Sequence, residues 1–240
     1  MKGFTRILLA GFMALGLAAC GSGGSDSSSS NSSSVASSLK SGIYGGAWTA
    51  SDNSNGVFAA QLSGNKLYAA SDDGTVVYLD MQLAGTSVTA NGRFYYSDVA
   101  TTSQGTMQGT GTLNGTDITM TLNRSDGIVN TVTFKRVAIS DDASSFGVMQ
   151  GAYKTQNQVI DINLTAIGAL SGSDTDGCTY SGDIDIIDSS INVYALTLNI
   201  SSCAAYAGDY TGFVSRDKSD GSVGAIYGNA ARLLAIDLYK

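Results

Sequence analysis

The chain has 240 residues, of which 43% are apolar and only 14% charged, and its formal net charge is −7. It has no His, no Pro and no Glu, so all twenty of its acids are Asp. Without His there is no Ser-His-Asp or Cys-His nucleophile, no HExxH zinc helix and no imidazole proton shuttle, and an acidic chain lacks the basic face that phosphate contacts need. No enzymatic activity, no cofactor and no nucleic-acid partner are therefore expected.

In chain order, the first element is a short basic stretch, Lys2 and Arg6, followed by an apolar run over residues 7–17. The run has the length of a signal-peptide core and is well short of the ~20 residues of a membrane span. It ends in Leu17-Ala18-Ala19-Cys20. These four residues resemble the lipobox of bacterial lipoproteins. The resemblance implies that residues 1–19 are a signal peptide cut before Cys20. It also implies that the Cys20 thiol takes a diacylglycerol and that the new amine is acylated, with palmitate-like chains. Two or more acyl chains anchor stably where one does not. In that family an Asp after the Cys favours the inner membrane. Gly21 and Ser22 follow here, which implies a lipid-anchored address at the outer membrane, with its periplasmic or surface face left open.

Residues 20–41 are mostly Ser and Gly and cannot bury a core, so they read as a disordered tether with an r.m.s. reach of ~25 Å. Two similar units follow, over 42–138 and 147–240, joined by a polar linker at 139–146. Gly45-Gly46-Ala47-Trp48 opens the first and Gln150-Gly151-Ala152-Tyr153 the second. The apolar period is two throughout. Ile118, Met120 and Leu122 share one face, as do Tyr194, Leu196, Leu198 and Ile200, which is the pattern of half-buried strands.

Strands are expected near 44–50, 56–62, 65–71, 74–83, 86–96, 104–113, 116–123 and 128–137. In the second unit they fall near 148–155, 158–165, 167–173, 177–187, 191–200, 207–216, 222–227 and 231–239. Asn, Asp and Gly fall between them, at Asp73-Gly74, Asn114-Gly115 and Asp126-Gly127, as tight hairpins require. Eight sequential strands match a small closed barrel. The expected fold is all-β, two tandem antiparallel meanders forming small barrels, with one larger sandwich or clam as the alternative.

With Cys20 assigned to lipid, Cys178 and Cys203 remain, and a pair in an exported protein reads as a disulfide. A hairpin centred between Ser190 and Ile191 sets them opposite one another. Closing the loop over residues 178–203 stabilises by ~3.5 kcal/mol in the chain-entropy model.

Asp174-Thr175-Asp176-Gly177 resembles the opening of a Ca²⁺ loop, but the ligands that should follow are missing and a hairpin turn favours the same residues. No metal site is expected, and Asp174 and Asp176 are the nearest approach to one. Asp183, Asp185 and Asp188 read as a solvated face. Trp48, the only Trp, is the candidate binding residue. Gly46-Ala47-Trp48 resembles the Gly-x-Trp that plugs or lines lipocalin-like and streptavidin-like barrels. Tyr95, Tyr96, Tyr194, Tyr206, Tyr210 and Tyr227 offer further amphipathic surface or core filling. The functional expectation is a non-enzymatic binding or structural module of the cell envelope, held to the membrane by its lipid, with a protein, sugar or small-ligand partner. The alternatives are an inhibitor of a secreted hydrolase such as lysozyme and a small-ligand carrier.

Overall fold

The structure, a computed structural model, describes residues 38–97 and 102–240. The lipobox, Cys20 and the tether up to residue 37 lie outside the described residues. Among the described residues no helix is long and apolar enough to cross a membrane.

The first eight strands are β1 (Gly42–Ala50), β2 (Asn55–Ser63), β3 (Lys66–Ser71), β4 (Thr75–Ala84), β5 (Ser87–Ser97), β6 (Thr102–Asn114), β7 (Asp117–Arg124) and β8 (Val129–Arg136). Each pairs antiparallel with the next, and β1 also pairs with β8 from Tyr44↔Arg136 to Ala50↔Asn130, so the sheet closes into a barrel. Period-two patterning sends alternate residues inward. Leu62, Leu67, Leu79, Met81, Val88, Ile118 and Met120 are almost wholly buried and fill the interior.

The second barrel comprises β9 (Gly151–Lys154), β10 (Ile160–Leu164), β11 (Ala169–Asp174), β12 (Thr179–Ile186), β13 (Tyr194–Ser201), β14 (Gly208–Arg216), β15 (Val223–Gly228) and β16 (Leu233–Leu238). It is nearly closed. Between β9 and β16 a single bridge, Lys154↔Tyr239, carries two backbone hydrogen bonds of 2.8 Å. The alternative of one larger sandwich is thereby replaced by two separate barrels.

Between the barrels, the expected polar linker contains a 3-10 turn (Ala138–Asp141) and one turn of helix, α1 (Phe146–Met149). A strand was expected from residue 148. The Ser145 side chain instead accepts the Val148 N–H as an N-cap, and the resulting turn delivers Phe146 and Met149 to the second core.

The two units share a motif four residues ahead of the one read from sequence. Tyr44 donates its hydroxyl to the Lys40 carbonyl (2.5 Å) and Tyr153 to the Met149 carbonyl (2.6 Å). Tyr210 does the same to Tyr206 (2.7 Å). Each stands two residues after a Gly with φ near +150° (Gly42, Gly151, Gly208), an angle that side chains with a Cβ rarely adopt. Tyr153 therefore matches Tyr44, and Trp48 has no counterpart, because β9 ends at Lys154.

The Cys178–Cys203 disulfide is formed, with the Cα atoms 4.8 Å apart. The register is one residue from that expected. β12 and β13 pair Thr179 with Ser201, which sets Ser202 opposite Cys178. Ser202 takes a left-handed φ of 64°, and the chain turns there to bring Cys203 into reach.

The barrels pack side by side through a third apolar cluster built from outward faces, with Ile43, Tyr68 and Val76 on one barrel and Val193, Phe213, Ile226 and Leu233 on the other. The Tyr68 and Phe213 rings meet edge to face at 5.5 Å. Within this interface the fully buried Gln61 donates Nε2 to Ser215 Oγ (2.7 Å) and to the Gly224 carbonyl (3.1 Å). Gln61 lies beside the β2–β3 hairpin and Ser215 beside the β14–β15 hairpin, so these two hairpins share one end of the molecule. The incoming residues 38–41 and α1 stand at this same end. Val148, Ile167 and Ile187, the exposed large apolar side chains among the described residues, lie on α1, the β10–β11 hairpin and the end of β12, all at this end.

Asp237 lies on the strand face that carries Leu233 and Ala235 into the interface, opposite Gly224. Its Oδ2 is buried without a partner, and burial pushes its carboxyl up to about 7. The folded chain therefore holds this proton across about pH 4–7, where the unfolded chain has released it. This group's contribution is fully present below about pH 4 and is lost as pH rises towards 7. Asp237→Asn should gain on wild type progressively across that window, read as the difference between their thermal midpoints; a constant difference would refute this. Replacing both Cys178 and Cys203 by Ala should cost ~3.5 kcal/mol in urea unfolding, and an unchanged urea midpoint would count against it.

Candidate functional site

The two ends of the first barrel are built differently. At the end where the chain enters, Leu39 and Tyr44 are buried in the core and plug the barrel. Burial raises the Tyr44 hydroxyl to about 12, so it stays a donor. Arg136, with its side chain 5% exposed, is held there by the Ser41 carbonyl (3.1 Å) and the Asp141 carboxylate (2.8 Å).

At the opposite end the inward rows finish in larger or polar residues: Trp48 on β1, Ser71 on β3, Thr75 on β4, Arg124 on β7 and Asn130 on β8. Below them lie Phe58, Met107, Leu122, Val132 and Phe134. A cavity of about 60 Å³ opens here, with room for roughly four to six waters at ~10–15 Å³ each.

The Trp48 indole is fixed in place. Its Nε1 donates to Ser71 Oγ (2.7 Å), and Ser71 Oγ in turn lies 3.3 Å from both the Val57 carbonyl and Asp72 Oδ1. Asp72 Oδ1 also accepts the Val57 N–H (3.1 Å). A Cβ at residue 56 would fall 2.3 Å from Asp72 Oδ1 and 2.8 Å from the indole nitrogen, so any side chain in place of Gly56 would displace this arrangement. A side chain locked by a hydrogen bond and packing meets a ligand with little further ordering cost.

The charged groups of the mouth are each held by a neighbour, one in an ion pair and the carboxylates of Asp73 and Asp52 by neutral donors. Arg124 lies over the Phe94 ring at 4.0 Å and reaches both Asp126 oxygens, at 3.2 and 2.5 Å. Asp73 accepts the Thr75 N–H (2.9 Å) and hydroxyl (3.0 Å). At the rim, the hydroxyl and N–H of Ser54 hold the Asp52 carboxyl below the usual carboxylate range. One acceptor is left over: Asn130 Oδ1 is buried and has no partner.

The second barrel offers much less. Its cavity, about 30 Å³, is lined by Ile162, Leu164, Leu196, Leu198 and other apolar side chains, and a space of that lining stays dry.

The other sequence candidates do not join this mouth. Asp174 Oδ1 accepts the N–H groups of Asp176 (3.0 Å) and Cys178 (2.8 Å), and its Oδ2 accepts the Tyr180 hydroxyl (2.7 Å). That carboxylate organises a hairpin. Among the described residues no group of three or more Cys or Asp side chains stands where it could hold a metal ion. Asp183, Asp185 and Asp188 are exposed. Tyr194, Tyr210 and Tyr227 fill the second core, Tyr206 packs against it, and Tyr95 joins the interface between barrels. Of the candidates, Trp48 lines the mouth of the first barrel and Tyr227 lines the small cavity of the second. Sequence reading missed Ser71, Arg124 and Asn130, although the signal was present: in DITMTLNR and VNTVTFKR the inward period-two row ends in Arg124 and begins in Asn130.

Neither the known protein families nor the curated proteins provide a match to this chain.

A buried acceptor without a donor costs about 1–3 kcal/mol, and an apolar replacement of similar shape recovers part of it. Asn130→Leu should therefore stabilise the protein by ~1 kcal/mol, read as a higher urea midpoint. A lower midpoint would mean that Asn130 is satisfied in solution.

Proposed function

We propose that this protein is an outer-membrane-anchored lipoprotein whose body is a non-enzymatic binding module of the cell envelope, with the mouth of the first barrel as its binding site. The observation that carries this reading is the rigid Trp48 in an open mouth at the end opposite the one where the chain enters. A tether attached at residue 38 directs that mouth away from the anchor. The exposed Val148, Ile167 and Ile187 stand at the tether end, where apolar side chains favour a bilayer surface. The cavities of about 60 and 30 Å³ are far below the ~300–1,000 Å³ of ordinary ligand pockets, which argues against a carrier enclosing a whole lipid.

The test of the anchor is Cys20→Ser in the full chain. The variant should leave the membrane fraction and lose the gel-mobility shift of the acylated form; if both stay unchanged, the lipoprotein reading falls. Protease shaving of intact and of permeabilised cells, blotted for the second barrel, then decides which face of the outer membrane the body occupies.

A further inference from the structure

The exposed large apolar side chains do not scatter over the surface. Val148, Ile167 and Ile187 are the ones among the described residues, and all three belong to the second barrel at the end where the chain enters. α1 and the β10–β11 hairpin adjoin there, because a Cβ at Gly168 would fall 2.7 Å from the Phe146 ring. Ile167 is 80% exposed. It stands at the tip of a tight turn, Thr165-Ala166-Ile167-Gly168, where turn chemistry favours Gly, Asn or Asp. The corresponding β2–β3 turn of the first barrel is Ser63-Gly64-Asn65-Lys66. Folding gains little from a side chain so exposed, and its apolar surface is free to meet something outside the chain.

The position of the anchor identifies that surface. Residues 20–37, between the proposed lipid on Cys20 and the described body, are mostly Ser and Gly, and a chain of that length and composition has an r.m.s. reach of ~25 Å. Such a tether holds body and bilayer together at an effective concentration on the order of millimolar. An apolar contact too weak to form between free partners then forms. The charges agree. At this end Lys40, Lys66, Arg136, Arg216, Lys218 and Lys240 offset the local Asp residues, and their heads can reach headgroup phosphates while their stems lie on apolar surface. The opposite end carries Asp52, Asp72, Asp73, Asp126, Asp174 and Asp176 against Arg124 and Arg232, and anionic headgroups repel it.

We propose that the tether end of the second barrel docks on the bilayer that holds the anchor, with Ile167 entering the boundary between headgroups and acyl chains and Val148 and Ile187 beside it. This rests on the lipoprotein reading. It adds that the body sits down on the membrane instead of floating at the length of its tether.

The test uses the full-length mature acylated protein in vesicles of phosphatidylethanolamine and phosphatidylglycerol. Cys178 and Cys203 are joined and Cys20 carries lipid, so Ile167→Cys supplies one free thiol for an environment-sensitive fluorophore. Ala231→Cys, exposed in the β15–β16 turn, reports the opposite end. The label at 167 should shift to the blue and be quenched by lipids with a nitroxide on the acyl chain, while the label at 231 should do neither. Val148→Ser combined with Ile187→Ser should lower the docked-to-free ratio at 167 about tenfold, through lost apolar burial, and leave the thermal midpoint unchanged. A label is itself apolar, so amide exchange of the unlabelled protein is read alongside: residues 165–168 should slow on vesicles relative to the Cys20→Ser chain in buffer. A water-like label at 167 on protein that floats with the vesicles would overturn the docking and leave the anchor in place. Shielding at 167 that rises with protein concentration and ignores the nitroxide lipid would replace the bilayer by a second copy of the chain. A chain that carries no acyl group and stays off the vesicles would overturn both readings.

Discussion

Closure of eight antiparallel strands is the constraint on which the rest of this protein depends. A ring of eight leaves an interior just wide enough for one set of side chains, and every inward position then competes for the same volume. In the first barrel the ladder between β1 and β8 completes that ring and leaves no strand edge unpaired. Leu79 and Met120 consume the volume at mid-height. Space for a ligand remains only at an end, where the inward rows run out of large aliphatic residues.

The same Gly-x-Tyr opening has different consequences in the two units. In both, a Tyr hydroxyl satisfies a carbonyl four residues earlier and plugs the end where the unit begins. β1 continues for six residues beyond its Tyr, reaches the far rim and presents Trp48 there. β9 continues for only one residue beyond Tyr153. The second barrel accordingly has no counterpart of Trp48; at its far end Tyr210 and Tyr227 meet edge to face, and the disulfide ties the β11–β12 hairpin to the end of β13. One barrel retains an open mouth, while the other invests the corresponding region in covalent stability.

The interface between the barrels carries polar groups that an apolar patch would not need. Gln61 reaches across to Ser215 and Gly224, while its own Oε1 and the Asp237 Oδ2 lie buried without partners. Hydrogen bonds of this kind define one register between two otherwise greasy surfaces, at some cost in stability. The outward faces of β2, β3 and β4 bring Ala59, Tyr68, Ala70 and Val76 to the interface, so these stretches are buried on both sides and depart from simple alternation.

The chain by itself determined a good deal, because local rules act on nearby residues. Period-two rows such as Ile118-Met120-Leu122, with Gly and Asn between them, specify strands and hairpins to within a few residues, and two runs of eight specify two barrels. Cys178 and Cys203 were legible as a pair because a hairpin brings them together. Trp48 was legible as a candidate through its Gly-x-Trp setting. What only the tertiary structure decided depends on contacts between distant segments: that α1 replaces the start of a ninth strand, that Ser202 corrects the register of the disulfide, and that the barrels meet through Gln61 and Phe213. The mouth belongs to the same class. Trp48, Ser71, Arg124 and Asn130 come from four separate strands, and only closure of the ring sets them around one cavity.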